Sequence, residues 1–334
     1  MALVSLGDLA QSFLLKSHTA RLKGEVGRMT QDLASGRVAD VGAALSGDLA
    51  RLTSESRARA VTAGYQSGAR EAATQAAATQ SALSVIAASV RALVPPLLAA
   101  SQLDMSDQIS LTGVDARGRL DSVMATLNAS VGGRSLFSGQ AVLSPAVTGA
   151  GPILAALRTE LIGATTAAEA MTRISDWFDS PAGYPAIAYQ GGVPLANVAV
   201  SPTDKVWLGI TAADPALRAA LKGLAAAALI DDIASPLPVS ENKALARLSA
   251  EALMAGQDAL TNLAARLGIS EGRIEAAQSR NAIDLLSHEM AQADLIRSDP
   301  ERLAMELEAM QTNLETVFAI TARLSRLSLT DFLR

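Results

Sequence analysis

The sequence contains no cysteine. This absence excludes disulfide bridges, thiolate metal sites and cysteine nucleophiles. Histidine occurs only twice, at His18 and His288, which lie far apart along the chain. His288 and Glu289 resemble the start of a zinc-protease motif, but Gln292 occupies the position of the second histidine. We therefore expect no metal site, and no other motif points to a cofactor.

Aromatic residues are scarce, at 3% of the chain, whereas 49% of the residues are hydrophobic and many of these are alanine. Such a composition favours closely packed helices over an aromatic-lined pocket. The net charge of −5 argues against a protein that binds nucleic acid by neutralising phosphates. We therefore expect no nucleic acid partner.

Long apolar runs and a secretory leader are both missing from the sequence. No run reaches the ~18 consecutive apolar residues typical of a membrane-spanning helix. The N-terminus has no basic segment followed by an apolar one and a small-residue cleavage site. We expect no membrane segment and no cleavable signal peptide, so secretion would need another export route.

Both ends of the sequence carry apolar residues at alternating steps of four and three, the spacing that lines one side of a helix for a partner helix. A helix with an apolar side and few other contacts needs a partner helix, and the helix at each end of the chain can be the partner of the other. The sequence therefore predicts that the two terminal helices pair. The residues of this seam are Leu15, Thr19, Leu22, Val26, Met29 and Leu33 near the N-terminus and Leu303, Leu307, Met310, Leu314, Val317, Thr321, Leu324 and Ser328 near the C-terminus.

Between the two ends, the first half of the chain reads as long helices. A first helix over residues 2–34 stops at Gly36, where glycine favours a left-handed C-terminal residue. A second helix starts near residue 45, and Pro95 and Pro96 should kink or end it. Residues 103–113 then read as a connection before another helix over 114–131.

The helical pattern is interrupted at Gly132 and resumes after Pro238. Short strands are indicated at 186–189, 198–200 and 205–210, and Asp214 with Pro215 indicates a helix N-terminus. After residue 238 the helical pattern has one break, at 268–272, and a last helix starts at Asp299–Pro300.

The predicted fold class is therefore mainly α: a long antiparallel helical bundle or coiled coil built from both chain termini, with a small inserted α/β domain. The expected domains are an N-terminal helix at 1–36 that pairs with 299–334, a helical rod at 37–140 completed by 239–298, and an outer insert at 141–238.

A search for catalytic groups gives one weak candidate, a cluster in the insert formed by Asp176, Trp177, Tyr184 and Tyr189. Its members belong to no known catalytic motif, and the adjacent acids Asp231 and Asp232 read as solvated side chains. We expect the protein not to be an enzyme.

Several short motifs resemble the flagellin-like family. The segment Leu33-Ala34-Ser35-Gly36-Arg37 is similar to the one that closes the family's first helix. Asn128, followed by Gly133-Arg134-Ser135-Leu136-Phe137-Ser138-Gly139, resembles a motif of the family's hook–filament junction branch, although serine replaces an aromatic residue at 135.

The second helical arm carries the remaining matches. These are Leu267-Gly268 with Arg273-Ile274-Glu275, then Gln311, Leu314 and Glu315, and finally the closing segment 327–333, which includes Asp331 and Phe332. That closing segment favours the hook–filament junction branch over filament flagellin.

The resemblance implies a structural subunit of the bacterial flagellum, located outside the cell between hook and filament. It implies export in an unfolded state through the flagellar type III channel, with terminal helices that become ordered on assembly. The implied partners are further copies of the chain in a ring or helical assembly, hook-associated protein 1, flagellin and a flagellar export chaperone.

Two other functions remain open at this point. The chain would also suit a flagellin-type filament subunit, or a secreted coiled-coil tip or translocator protein of an injection system.

Overall fold

The computed structural model describes residues 6–102, 106–230, 232 and 237–332, with the side chains of 6–12, 106 and 324–332 outside the description. Its helices are α1 (Leu6–Ser35), α2 (Val41–Ala44), α3 (Ala50–Gln102), α4 (Ser106–Leu127), α5 (Ala150–Glu160), α6 (Ala167–Asp179), α7 (Tyr184–Ile187), α8 (Pro215–Ala228), α9 (Val239–Ile296) and α10 (Pro300–Phe332). Its strands are β1 (Ser130–Val131), β2 (Arg134–Ser135), β3 (Val198–Ala199) and β4 (Lys205–Val206). This architecture confirms the predicted fold class, a mainly α chain with a small inserted region that contains short strands.

The chain divides into two compact units. One contains both chain ends, Met1–Thr62 and Ile283–Arg334, and the other consists of Ala63–Ala282. In the first unit α1 and α10 pack against each other. Helices α3 and α9 each contribute residues to both units.

The second unit has a continuous hydrophobic core, to which α3 contributes a stripe repeating every three or four residues. Up to Ala82 the stripe consists of alanines together with Gln66 and Thr79, and from Leu83 onwards it consists mainly of larger aliphatic side chains. Helix α8 packs against α4 and α6, and its last part, Leu224–Ala228, is buried on every side. An alanine-rich helix of this kind permits close approach of its neighbours.

Asp232 joins three helices of this unit. Its carboxylate accepts hydrogen bonds from the guanidinium of Arg117 in α4 at 2.7 Å and from that of Arg158 in α5 at 3.0 Å. Arg117 also donates to the carbonyl of Ala228 at the end of α8. The interpretation of Asp232 as a solvated acid was wrong: its side chain is buried, and the two guanidinium groups compensate its charge. Asp231 lies outside the described residues.

The insert is held by two antiparallel hairpins and an aromatic cluster. Ser130 pairs with Ser135 in the first hairpin, and Val198 pairs with Val206 in the second. In the second hairpin, the side-chain amide of Asn281 in α9 donates to the carbonyl of Val200 at 2.9 Å. These contacts fix the insert on the helices that flank it in sequence.

Two predicted interruptions are absent from the helices. Helix α3 continues through Pro95 and Pro96 to Gln102, so the expectation that the prolines could end the helix was wrong. The prolines remove two backbone donors, but Leu93 and Leu97 on either side are fully buried, and this packing outweighs the loss. Helix α4 begins at Ser106, so most of the segment 103–113, which was predicted to be a connection, is helical.

The predicted break at 268–272 is likewise absent, since α9 is continuous across it. Each glycine costs about 1 kcal/mol relative to alanine in a helix, and the burial of Leu267 and Ile274 outweighs this cost. The first half of the predicted strand at 186–189 lies in the short helix α7, where Pro185 in the first turn favours helical angles, and Tyr189 at its end forms an isolated antiparallel β-bridge with Val147. The strand predicted at 205–210 is only β4, two residues long.

Helix α3 is, among the described residues, the one helix long and apolar enough to cross a membrane. Its most apolar 18-residue window has a mean hydropathy of 1.8, and 33% of that window is buried within the protein. Core helices of soluble proteins have the same properties, so this is weak evidence, and the expectation of no membrane segment stays a prediction.

Candidate assembly surface

The first feature of the terminal unit is the corner at which α1 ends. Gly36 has a φ of +67°, and its N–H donates to the carbonyl of Asp32 at 2.9 Å. This is the left-handed helix end that the sequence predicted, a conformation that glycine adopts without a steric penalty.

The chain after Gly36 pairs with the segment that precedes α10. The N–H of Val38 donates to the carbonyl of Ile296 at 2.9 Å, and the N–H of Ser298 donates to the carbonyl of Gly36 at 3.1 Å. Asp299 then caps α10, since its carboxylate accepts from the N–H groups of Glu301 and Arg302. The end of α1 and the start of α10 are thereby fixed side by side, and the two helices run antiparallel.

Two polar side chains are buried in this corner, Asp32 and Ser298, each 6% exposed. The carboxylate of Asp32 accepts from the N–H of Ala39 at 2.8 Å, and the hydroxyl of Ser298 donates to the carbonyl of Asp32 at 3.2 Å. Sequence reasoning missed both residues, because neither belongs to an apolar seam or a known motif. We name Asp32, Gly36, Val38, Ile296 and Ser298 the corner clasp.

Helices α1 and α10 pack against each other, and most of the predicted seam residues are partly or fully buried; that they form the assembly seam stays a prediction. In α1, Leu22 is the most buried at 4% exposure, whereas Leu33, next to the corner, is 37% exposed. The remaining seam residues with described side chains are half-buried, except Thr321, which is exposed: Leu15, Thr19, Val26, Met29, Leu303, Leu307, Met310, Leu314 and Val317. The side chains of Leu324 and Ser328 lie outside the described residues.

Outside the seam, the terminal helices expose large apolar side chains. Phe13 and Leu14 of α1 are 71% and 65% exposed, and Met305 of α10 is 71% exposed. Phe318 is partly covered by Lys23, whose ammonium lies 5.4 Å from the ring centroid. A helix pair that buries one seam and exposes such residues offers apolar surface for association.

A second contact of the terminal unit lies between the start of α3 and the end of α9. His288 Nδ1 is 2.8 Å from a carboxylate oxygen of Glu55, and the Gln292 amide is 3.4 Å from the Ser56 hydroxyl. Within the described part of the chain, no group of three or more His, Cys, Asp or Glu side chains is placed to hold a metal. The hydrogen bond of His288 to Glu55 joins α9 to α3.

The motif at 133–139 forms a tight connection in the second unit. Gly132 and Gly133 both have positive φ in the turn between β1 and β2, and the guanidinium of Arg134 lies 3.3 Å from the carboxylate of exposed Glu71. Phe137 is fully buried, and its carbonyl accepts from the N–H of Ala212 at 2.9 Å. This motif organises the entry into the insert.

Gly139 and Asn128 complete this arrangement. Gly139 has a φ of +59°, and a Cβ atom there would lie 2.3 Å from the carbonyl oxygen of Val193. Asn128 accepts from the N–H groups of Ala146 and Val147 and donates to the carbonyl of Val147. The motif residues thus have structural roles inside the protein.

The remaining motif residues lie in α10. Gln311 and Glu315 are exposed, on the sides of the helix that do not face α1. Asp331 and Phe332 belong to the last turn of α10, and their side chains lie outside the described residues.

The aromatic candidates of the insert do not share one polar pocket. Trp177 and Tyr184 are buried, Tyr184 stacks on Phe178 and Trp177 meets Phe178 edge to face, while Asp176 is exposed. The Tyr184 hydroxyl donates to the carbonyl of Ala212 at 3.0 Å, and burial raises the pKa of this phenol. Burial also raises the pKa of Tyr189, whose hydroxyl donates to the carbonyl of Gly192. Both hydroxyls act in packing the insert.

These features define a class of protein: a mainly α chain whose two ends pair through one seam and leave apolar helix faces uncovered. A solved structure from Vibrio parahaemolyticus, of a protein provisionally assigned as a flagellar hook-associated protein, is similar to this chain with a TM-score of 0.51. The two sequences are 15% identical over 73% of this chain and 95% of the Vibrio chain. No protein-family model matches the sequence, and no curated protein matches it. At this identity the similarity shows a shared fold.

Proposed function

We propose that the protein is a structural subunit of the bacterial flagellum, located outside the cell, and that it has no catalytic role. The observation that carries this proposal is the terminal helix pair, which buries one seam and exposes Phe13, Leu14 and Met305. The fold shared with the Vibrio parahaemolyticus protein supports the flagellar assignment.

Within the flagellum we propose that the chain is the hook–filament junction protein, hook-associated protein 3. Its partners are then hook-associated protein 1 on the hook side, flagellin on the filament side, and an export chaperone before assembly. The motif at 133–139 and the closing segment 327–333 support this branch of the flagellin-like family. The absence of cysteine suits a chain that passes unfolded through a narrow export channel, because no disulfide can restrain it.

The proposed assembly mechanism follows from the burial of the terminal helices. Paired only with each other, α1 and α10 keep most of their surface in water, so their pairing offsets little of the entropy lost on ordering. Neighbouring copies then cover the outer faces, and each large apolar side chain fully buried adds about 1.5 to 3 kcal/mol. Assembly thereby stabilises the helices that drive it.

The function is tested by deleting the gene in the source bacterium and complementing the deletion with the wild-type chain. We expect cells that build hooks but release filament protein into the medium, and antibody labelling in a thin band between hook and filament. Labelling along the whole filament would instead support a filament subunit, and labelling at needle tips would support an injection-system protein. Normal filaments in the deletion strain would refute the proposal.

The role of the exposed terminal residues is tested in the same strain. The double variant F13S/M305S removes two apolar side chains from the outer faces of α1 and α10, and we expect it to leave filaments poorly attached. The control is L143S, because Leu143 is 88% exposed but lies in the second unit. If the two variants support swimming equally, the terminal faces are not the assembly surface.

A further inference from the structure

Burial along the two longest helices, α3 and α9, changes abruptly at neighbouring positions. The first buried residue of α3 is Gln66, and the last buried residue of α9 is Asn281. These positions lie side by side, because the side-chain amide of Gln278 in α9 donates to the carbonyl of Ala69 in α3 at 3.1 Å. Both helices are continuous through this level, so the change concerns their packing and not their backbone.

Beyond this level the two helices have little to hold them. The apolar side chains that follow Asn281 in α9 face solvent: Ile283, Leu286 and Met290 are 68%, 53% and 57% exposed. The hydrogen bond between His288 and Glu55 joins two partly exposed side chains, and exposed polar pairs contribute little to stability. Segments with few buried contacts are those that open locally while the rest of a protein stays folded.

The β3–β4 hairpin lies against α9 where its burial ends. Asn281 is 1% exposed, and its side-chain amide donates to the carbonyl of Val200, which follows β3. The guanidinium of the preceding residue, Arg280, pairs with the carboxylate of Asp204, which precedes β4. We name Val200, Asp204, Arg280 and Asn281 the hairpin clamp.

The turn that carries the clamp is closed by its own hydrogen bonds. The hydroxyl of Ser201 donates to the Asp204 carboxylate at 2.8 Å and accepts from the Asp204 N–H at 2.9 Å. The N–H of Val200 donates to the carbonyl of Asp204 at 3.0 Å. The two residues that contact α9 are thereby fixed in one turn.

The same hairpin reaches α3. The carbonyl oxygen of Ala199 lies 3.9 Å from the place that a Cβ atom would take at Gly68, which is van der Waals contact. The buried stripe of α3 starts here with small side chains such as Ala69 and Ala72, and each of these buries little apolar area. The hairpin therefore supports both helices over the turns where their own apolar packing is weakest, before Leu83.

We propose that the hairpin clamp stops the local unfolding of α3 and α9 from entering the second unit. The start of α3 and the end of α9 can then open and close while the insert and the core around it stay folded. This inference goes beyond the proposed function and does not depend on it, since it concerns the isolated subunit.

The test is hydrogen–deuterium exchange of the purified full-length protein, followed by mass spectrometry of its peptides. In the wild type we expect residues 50–62 and 283–296 to exchange about tenfold faster, or more, than residues 66–76 and 270–281. The variants Asn281→Ala and Asp204→Ala should each raise exchange at 66–76 and 270–281 about tenfold, because each loses a clamp hydrogen bond. Exchange at 86–97 should stay unchanged in both. The Asp204 side chain is 39% exposed, so its loss should leave the chain folded.

The matched controls are Asn262→Ala and Asp258→Ala. They make the same two substitutions at exposed positions of α9 within the second unit. Both controls should exchange like the wild type, because neither residue contacts the hairpin clamp.

Three results would overturn the proposal. Equal exchange on the two sides of Gln66 in the wild type would show that no boundary exists there. Unchanged exchange at 66–76 in either clamp variant would show that the hairpin does not hold it. A rise of the same size at 86–97 would show a general loss of stability. Normal filaments in the deletion strain would refute the proposed function and leave the clamp intact.

Discussion

The hydroxyl of Ser298 donates a hydrogen bond to the backbone carbonyl of Asp32, with 3.2 Å between the two oxygens. These residues are separated by most of the chain, and both are buried at the corner where α1 ends and α10 begins. The carboxylate of the same Asp32 accepts from the N–H of Ala39. One residue thus orders both segments that meet at the corner clasp.

Replacing Asp32 with alanine should loosen this corner. The N–H of Ala39 loses its acceptor, and a hydrogen bond to a charged group contributes about 1.5 to 3 kcal/mol. Hydrogen exchange at residues 36–39 should therefore become faster. The neighbouring exposed Gln31→Ala is the control, and equal exchange in both variants would show that the Asp32 carboxylate does not hold the corner.

Substitutions at Leu22 and Phe13 should distinguish the stability of the α1–α10 pair from its association with other molecules. Leu22→Ala removes a buried side chain from the seam and should weaken pairing of α1 with α10 by about 2 to 3 kcal/mol. Phe13→Ala, at an exposed position, should change the stability of the isolated subunit by less than about 0.5 kcal/mol. Thermal unfolding followed by circular dichroism gives the first effect, and sedimentation gives any loss of association in Phe13→Ala. A larger loss of thermal stability in Phe13→Ala than in Leu22→Ala would contradict the assignment of Leu22 to the seam.

Gly139→Ala should destabilise the second unit. The new Cβ would lie 2.3 Å from the Val193 carbonyl oxygen, and the φ of +59° is unfavourable for alanine. We expect a loss of more than about 1 kcal/mol in the free energy of unfolding. Gly118→Ala is the matched control, because nothing lies within 4 Å of its Cβ in α4. That variant should gain about 0.5 to 1 kcal/mol, and equal losses in the two would contradict the close approach at Gly139.

The stability of the insert should fall at alkaline pH. Burial raises the pKa of Tyr184 above its ordinary value of 10.0, so the folded state favours the neutral phenol. The stabilisation is therefore complete below pH 10.0 and is lost as the pH rises towards the folded-state pKa. Tyr184→Phe should lose about 1 kcal/mol at neutral pH with the hydrogen bond to Ala212. Its denaturant unfolding should depend less on pH above 10.0, and an unchanged dependence would assign the effect to other groups.

The sequence predicted the two terminal helices because their signal is local and periodic. The steps of four and three indicate the positions of Leu22 and Leu314. Gly36 indicates the end of α1 and Asp299 the start of α10, because the chemistry of these two residues acts within a few residues. The same holds for Asp214, which caps α8 as predicted by accepting from the N–H of Ala216.

The features that the sequence did not predict depend on contacts between distant parts of the chain. Pro95 and Gly268 are helix breakers by local chemistry, and only the burial of their neighbours keeps α3 and α9 continuous. Asp232 looked like a solvated acid because its partners, Arg117 and Arg158, are far away in sequence. Ser298 gave no signal, because its hydrogen bonds reach Asp32 and Gly36, which lie at the other end of the sequence.

The corner clasp affects how quickly α1 and α10 can pair again after they separate. Its backbone pairing at Gly36 and Ser298 uses no seam residue, so the end of α1 and the start of α10 can stay joined when the seam side chains separate. Their reunion is then a first-order step at an effective concentration in the millimolar range. In the proposed assembly, a subunit can exchange contacts with its own helix for contacts with a neighbouring copy while the corner clasp keeps its two ends together.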